Sequence, residues 1–241
     1  TVAQEDPEIA RGRAPDAARL EGSLGMQRYC LEQALARRAR PGSDVLSVMG
    51  AAQLDGRALP ARTIAFNGTL LIVAGFETTR NALAGGVLEL IRAPEQMRRL
   101  RQQPELIPSA VEEIVRWTSP LTNAMRTATR DTQLGGRRIR EGECVAVWLP
   151  SCNRDEQVFR DADRFDVARA PNDHIGFGYG RHYCLGAHLA RLELRLMLAE
   201  IAARLPELEL AGEIERVRTN TLAGIKHMPV RFPAAAAQAR A

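Results

Sequence analysis

Along most of this chain, apolar residues recur at the three- and four-residue spacing of a helix. In "EGSLGMQRYCLEQALARRARPGSD" that repeat runs until Pro41-Gly42 breaks it, so an amphipathic helix is expected to end there. From about Pro60 to Ile91 a longer apolar run predicts one long helix. Its interior stripe includes Gly68, Ala74, Gly75, Ala82 and Gly86, where leucine would be usual. A glycine in mid-helix costs roughly 1 kcal/mol relative to alanine. The space it leaves must therefore serve something, either a bound group or a closely packed neighbouring helix. Two shorter helices are read at "APEQMRRLRQQ" and "LIPSAVEEIVRWTS", each with a proline near its start, where the missing N–H is not needed.

The period then changes. "MRTATRDTQLGGRRIREGECVAVWLP" alternates and is broken at Gly135-Gly136 and Glu141-Gly142, which predicts a β-hairpin or small sheet. "CLGAHLARLELRLMLAEIAARL" returns to helix, with Leu185, Leu189, Leu192 and Leu196 on one face. "ELELAG" and "IKHMPVRFP" read as terminal strands, and the low-complexity segment 234–241 as a disordered tail. No internal repeat is visible. The expected fold is mainly α with a minor β part.

At 241 residues, 45% hydrophobic and 26% charged, the composition is that of a globular protein of one large domain or two small ones. A net charge of +4 makes no case for nucleic acid. Cys30, Cys144, Cys152 and Cys184 are scattered without CxxC pairs, which argues against a disulfide scaffold and for a reducing, cytoplasmic compartment. His182 and Cys184 form one HxC pair without a clear second, so no zinc site is expected. The most apolar stretch holds Asn67, Glu77, Arg80 and Asn81, too polar for a membrane span. The first residue is Thr1 and no signal peptide precedes it, so the chain is expected to begin after processing or part-way through a longer protein.

The densest local pattern is "HIGFGYGRHYCLGAHLARLEL", residues 174–194, in which Gly176, Gly178 and Gly180 alternate with other residues and Gly186 follows Cys184. A lone cysteine is ordinarily a small core hydrophobe. Cys184, however, sits at the entrance to a helix, where unpaired N–H groups and the positive dipole end favour a thiolate. A thiolate is a soft ligand suited to iron. The glycines before it would let the loop lie flat against a large planar body, with Phe177 packed beside it.

"FGYGRHYCLG" resembles the haem-binding loop of cytochromes P450, FGxGxHxCxG, at every fixed position. The resemblance implies haem b, with Cys184 as axial iron ligand, His182 on a propionate, and Phe177, Gly178 and Gly186 completing the loop. "EEIVRW" is similar to the ExxR pair of the family's K helix, through Glu113 and Arg116. Alone, such a spacing would be a surface ion pair worth about 0.2–0.5 kcal/mol. "FDVAR" offers Phe165 and Arg169 for the family's FxPxR segment, with Val167 and Ala168 replacing the usual residues and the proline missing, so Glu113, Arg116 and Arg169 resemble the structural triad that supports the loop. "AGFETT", 74–79, is similar to the oxygen-binding stretch of the I helix. There Ala74 and Gly75 would leave a groove over the iron, with Thr78 facing it and Glu77 turned toward a proton source; Phe76 stands where the family often has a polar residue. Arg126, in "MRTATRD", matches a strand arginine that pairs with a propionate, and "NRDEQVF" matches a stretch of soluble bacterial members.

The resemblance runs from Thr1 to about Phe232 but covers only the C-terminal part of the family fold: the I, J, K and L helices, the haem-binding loop and a small sheet. Residues 1–233 are therefore read as a truncated haem domain. The family implies a monooxygenase that inserts one oxygen atom of O2 into a small hydrophobic substrate (sterol, terpenoid or lipid). Electrons would come from a ferredoxin and its reductase, with Arg98, Arg99, Arg101, Arg181 and Arg195 offering positive charge to an acidic donor, and neither nucleic acid nor membrane is expected as a partner. The alternatives are a haem-binding remnant without turnover and a peroxide-driven enzyme; the retained Glu77-Thr78 pair speaks against the second.

Overall fold

Proline and glycine set the ends of most helices in the computed structural model, which describes Glu8, Gly12, 14–205 and 207–233. The tail 234–241, expected to be disordered, lies outside the described residues. Two compact units divide the chain, Thr1–Glu77 and Thr78–Ala241, with the boundary inside the long helix.

In the first unit α1 (Pro15–Ala39) starts on its proline and has Asp16 in its first turn, where an acid suits the helix dipole. It therefore begins six residues before the periodic segment read from sequence. A second helix, α2 (Val45–Ala51), was not expected; Asp44 caps it, its carboxylate accepting from Ser47 N–H at 3.1 Å. Also unexpected is the hairpin β1 (Gln53–Leu54) to β2 (Arg57–Ala58), which turns on Asp55-Gly56, both at positive φ. The long helix α3 (Ala61–Arg92) follows, one residue from the boundaries expected. Gly68 on it closes on Cys30 of α1: a Cβ there would lie 2.8 Å from the cysteine Cβ.

The second unit takes the rest of α3, then α4 (Pro94–Gln102), a 3₁₀ turn (Pro104–Leu106) and α5 (Ile107–Thr118). Strands β3 (Asn123–Thr127) and β6 (Cys144–Trp148) pair antiparallel over five residues and enclose the pair β4 (Thr132–Leu134) and β5 (Arg137–Ile139). Gly135, Gly136 and Gly142 make the turns at positive φ, as the broken alternation requires. After α6 (Leu149–Cys152) a long irregular stretch leads through a 3₁₀ turn (Gly180–His182) to α7 (Ala187–Arg204). Strand β7 (Glu209–Leu210) pairs with β10 (Val230–Arg231), and β8 (Glu215–Arg216) with β9 (Ile225–His227).

The core of this unit gathers Leu90, Met97, Leu100, Val111, Ile114, Val115, Val167, Leu194 and Leu198, with α5 packed along α7. On α7 the buried side is Ala187, Leu194, Leu198 and Ala202, whereas Leu189, Leu192 and Leu196 are exposed and Leu185 precedes the helix. The leucine stripe expected from spacing is thus the outward one: both sides of this helix are apolar, so spacing cannot choose between them. Gly86 of α3 lies against Ile114, where a Cβ would meet three side-chain carbons at 2.7–2.8 Å. Ile114 is fully buried and has nowhere to move. Gly86→Ala is expected to lower unfolding stability by about 1–3 kcal/mol despite its better helix propensity. Urea titration checks this; a stabilised variant would show that the contact relaxes.

Candidate functional site

Six residues after α5 begins, the chain places a carboxylate and an arginine that the core closes over completely. Glu113 and Arg116 have no solvent exposure and meet through Nε–Oε2 at 2.7 Å and Nη2–Oε1 at 2.9 Å. Arg116 donates its remaining N–H groups to the carbonyls of Asn153 (2.7 Å), Ala162 (2.8 Å) and Arg164 (3.2 Å), so the buried cation is fully satisfied. Its guanidinium lies 5.3 Å from the ring centroid of Phe159 and 5.6 Å from that of Trp117. Glu113 accepts in addition from Arg169 Nε (3.0 Å), Asp166 N–H (2.9 Å) and Asn172 Nδ2 (3.2 Å). Arg169 in turn ties down the carbonyls of Arg160, Asp161 and Arg164. One carboxylate thereby organises an irregular segment that has no secondary structure of its own.

The glycine loop is hung from this knot. Asn153, buried, takes Ile175 N–H on its Oδ1 at 2.9 Å and donates to Ser119. Gly176 then lies flat on α5: a Cβ would be 2.6 Å from a methyl of Val115 and 3.2 Å from its carbonyl oxygen. Gly178 and Gly180 have φ of +75° and +68°, which glycine alone adopts without strain. Cys184 N–H donates to Phe177 O at 2.8 Å and closes the loop, leaving the Cys184 side chain exposed. The cysteine precedes α7 by three residues, and Gly186 is the residue at the helix boundary. His182 and Leu185 are also exposed, and Tyr179 is 87% exposed.

A second charged cluster, not anticipated from the sequence, braces the same loop. Glu112, beside Glu113, is gripped by Arg191 of α7 through Nε–Oε1 at 2.7 Å and Nη2–Oε2 at 2.8 Å. His174 Nδ1 accepts from Gly176 N–H at 3.1 Å, so the neutral ring carries its proton on Nε2 and donates it to Glu112 at 3.1 Å. Partial burial pushes the Glu112 carboxyl up, but the bonds from His174 and Arg191 outweigh it and hold the carboxyl at about 2, below its ordinary 4.5. A lowered folded-state value contributes stability that is present above 4.5 and lost as the pH falls toward about 2. Glu112→Gln is therefore expected to be less stable than the parent by about 1–2 kcal/mol at neutral pH, a figure kept small because the group is partly exposed. Urea titrations down the acid range should show the two proteins converging; a gap that is constant with pH would overturn this.

The other residues expected at the site lie on separate elements. Ala74, Gly75, Glu77 and Thr78 sit on α3; Ala74 and Gly75 are exposed, Glu77 and Thr78 half-buried. No neighbour outside the helix lies within 4 Å of the Gly75 Cβ position, in contrast to Gly68 and Gly86. Arg126 on β3 is exposed and donates to the Met125 carbonyl at 2.8 Å. Among the arginines expected to face an electron donor, Arg99 is committed to Asp166 at 2.8 Å, while Arg98, Arg101, Arg181 and Arg195 are exposed.

Among the described residues no group of three His, Cys, Asp or Glu side chains could hold a bare metal ion, and no helix is long and apolar enough to cross a membrane. A metal already carried in an organic ring needs only one protein donor, and an exposed thiol on a glycine-flattened loop ahead of a helix N-terminus fits that requirement.

A single cysteine on a glycine loop, tied to a buried Glu–Arg–Arg knot on a helical scaffold with small antiparallel sheets, is the arrangement that this chain brings together. The chain belongs to the cytochrome P450 family, whose model matches residues 31–206. It is 48% identical over 209 residues to a Mycobacterium tuberculosis protein that carries the name cytochrome P450 126, covering 85% of this chain and 50% of that protein. It is 40% identical over 229 residues to the linalool 8-monooxygenase of Pseudomonas putida, covering 95% and 56%. The solved structure of cytochrome P450 CYP268A2 from Mycobacterium marinum in complex with pseudoionone superposes with a TM-score of 0.92 at 39% identity, covering 96% of this chain and 56% of that one. The chain spans about half the length of the curated relatives it matches.

Proposed function

We propose that this chain carries the haem-ligating and proton-handling parts of a monooxygenase. That enzyme inserts one oxygen atom of O2 into a small apolar substrate of the sterol, terpenoid or lipid kind. The observation that carries the reading is the exposed Cys184 on a loop fixed to α5 through Gly176, Asn153 and Glu113. The relatives support the substrate class: one is named for linalool and a neighbour is solved with pseudoionone.

Bound haem supplies dioxygen binding and one-electron chemistry. The chain's residues supply placement. Cys184 would hold the iron through a thiolate, and Phe177, Gly178 and Gly186 shape the loop around it. His182 and Arg126 present cationic or N–H donors to the propionate carboxylates. Ala74 and Gly75 keep bulk off one face of α3, and the consecutive Glu77 and Thr78 pair a carboxyl with a hydroxyl, a combination that holds and passes a proton. Glu113, Arg116 and Arg169 maintain the loop. A ferredoxin and its reductase are the proposed electron donors, with Arg98, Arg101, Arg181 and Arg195 as the basic residues that would meet an acidic protein. Four free cysteines accord with a cytoplasmic setting.

Dithionite reduction under carbon monoxide tests the reading. A strongly red-shifted Soret band supports a thiolate-ligated haem, and no band at all overturns it for this chain. The share of its relatives' length that this chain spans, about half, favours a second reading, haem held without turnover. Product formation that depends on a ferredoxin and reductase supports the first reading; a thiolate band with no product from either donors or peroxide supports the second.

A further inference from the structure

Tyr183 occupies the position between His182 and Cys184, which the loop pattern leaves open to any residue. Its hydroxyl accepts from Arg191 Nη1 at 3.1 Å. The same guanidinium forks onto Glu112 and lies 4.3 Å from the ring centroid of Phe177. Glu112 also accepts from His174 Nε2–H, and His174 Nδ1 in turn accepts from Gly176 N–H. Four loop residues (174, 176, 177 and 183) thus converge on one ion pair whose members stand on α5 and α7.

The loop needs such a brace. Between Ile175 and Gly186 its backbone is closed by three hydrogen bonds within the loop: Gly178 N–H to Ile175 O, Tyr183 N–H to Gly180 O, and Cys184 N–H to Phe177 O. Glycine at two of the turning positions leaves the unbraced backbone more freedom than any other residue would. A planar guanidinium can satisfy the carboxylate and the phenol at once in fixed directions, which a lysine ammonium cannot.

Resting on the reading of Cys184 as the iron ligand, we propose that Tyr183 is a positioning residue: through Arg191 and Glu112 it fixes the backbone of 182–184 and so the place of the Cys184 sulfur. The tyrosine supplies reach, the arginine direction, and Glu112 the anchor on α5.

The test is amide hydrogen exchange on the 241-residue chain without haem. Tyr183→Phe keeps the ring and removes the hydroxyl. It should speed exchange of the Gly178 and Cys184 amides by about five- to tenfold, while Ile114 and the urea midpoint stay as in the parent. Arg191→Lys should do at least as much, and Tyr179→Phe, a change at an exposed ring two residues past Phe177, should do nothing. Exchange at Cys184 that is unchanged in Tyr183→Phe overturns the proposal, as does a uniform rise across the whole chain. With haem loaded, Tyr183→Phe should also convert from the thiolate band to the neutral-thiol band several times faster after reduction. Because exchange is read without haem, failure of haem to bind would sink the functional reading alone, and normal exchange would sink the proposal alone.

Discussion

Cys184→Ser is expected to abolish the red-shifted Soret band of the reduced, carbon monoxide-treated haem-loaded chain. The change is one atom at a fixed place: Cys184 N–H is bonded to Phe177 O, so the serine oxygen would stand where the sulfur stood. What differs is the donor. A thiol of ordinary pKa about 8.5 ionises readily beside a metal or a helix N-terminus, whereas a serine hydroxyl stays neutral and hard. The band should fall by roughly tenfold or more, leaving at best a spectrum of neutral-ligand type. Cys144→Ser and Cys152→Ser provide the controls. Cys144 is exposed on β6, 3.7 Å from the Thr127 hydroxyl, and Cys152 ends α6; neither is on the glycine loop. Loss of the band in either control, or its survival in Cys184→Ser, would show that the iron is held elsewhere.

How far the sequence foretold this arrangement depends on the reach of each interaction. The glycine loop was legible because its causes are local: backbone turns at Gly178 and Gly180 and a close approach at Gly176 leave marks within a few residues. Helix ends marked by Pro41, Pro94 and Pro108 were legible for the same reason. The hairpin at Asp55-Gly56 carries a clear turn signal, but strands of two residues each are too short to show an alternation. The i,i+3 spacing of Glu113 and Arg116 could not distinguish a surface pair from a buried one. What buries it is Phe159, Phe165 and Val167, which return to α5 from some fifty residues away. The partnership of Glu112 with Arg191, 79 positions apart, had no sequence signal at all. Arg169 was reached through the family pattern although Val167 replaces its proline; the structure shows why the replacement is tolerated, since Val167 is fully buried in the core and its N–H is taken by Gln96. On α3 the glycine stripe divided physically: Gly68 and Gly86 are spacers for packing, and Gly75 is not.

Glu113→Gln is the substitution expected to cost the most stability. The carboxylate receives five hydrogen bonds from four residues, and the amide that replaces it has one acceptor oxygen and an NH₂ group. Whichever way the amide turns, its NH₂ faces donors: Arg116 Nη2 and Asp166 N–H on one side, Arg116 Nε, Arg169 and Asn172 on the other. Arg116 meanwhile remains fully buried with no anion beside it. Removing one partner of a buried pair typically costs about 3–5 kcal/mol, because the charge left behind is uncompensated. That is a large share of the roughly 5–15 kcal/mol that holds an ordinary domain together. The double variant Glu113→Gln with Arg116→Met distinguishes this cause from simple loss of contacts. Removing the stranded charge should recover part of the deficit, so the double variant should be more stable than the sum of the two single losses. Denaturant titration of the four proteins measures the coupling. Strict additivity would mean that the ion pair, despite its burial, is not what holds the segment 159–169 under the glycine loop.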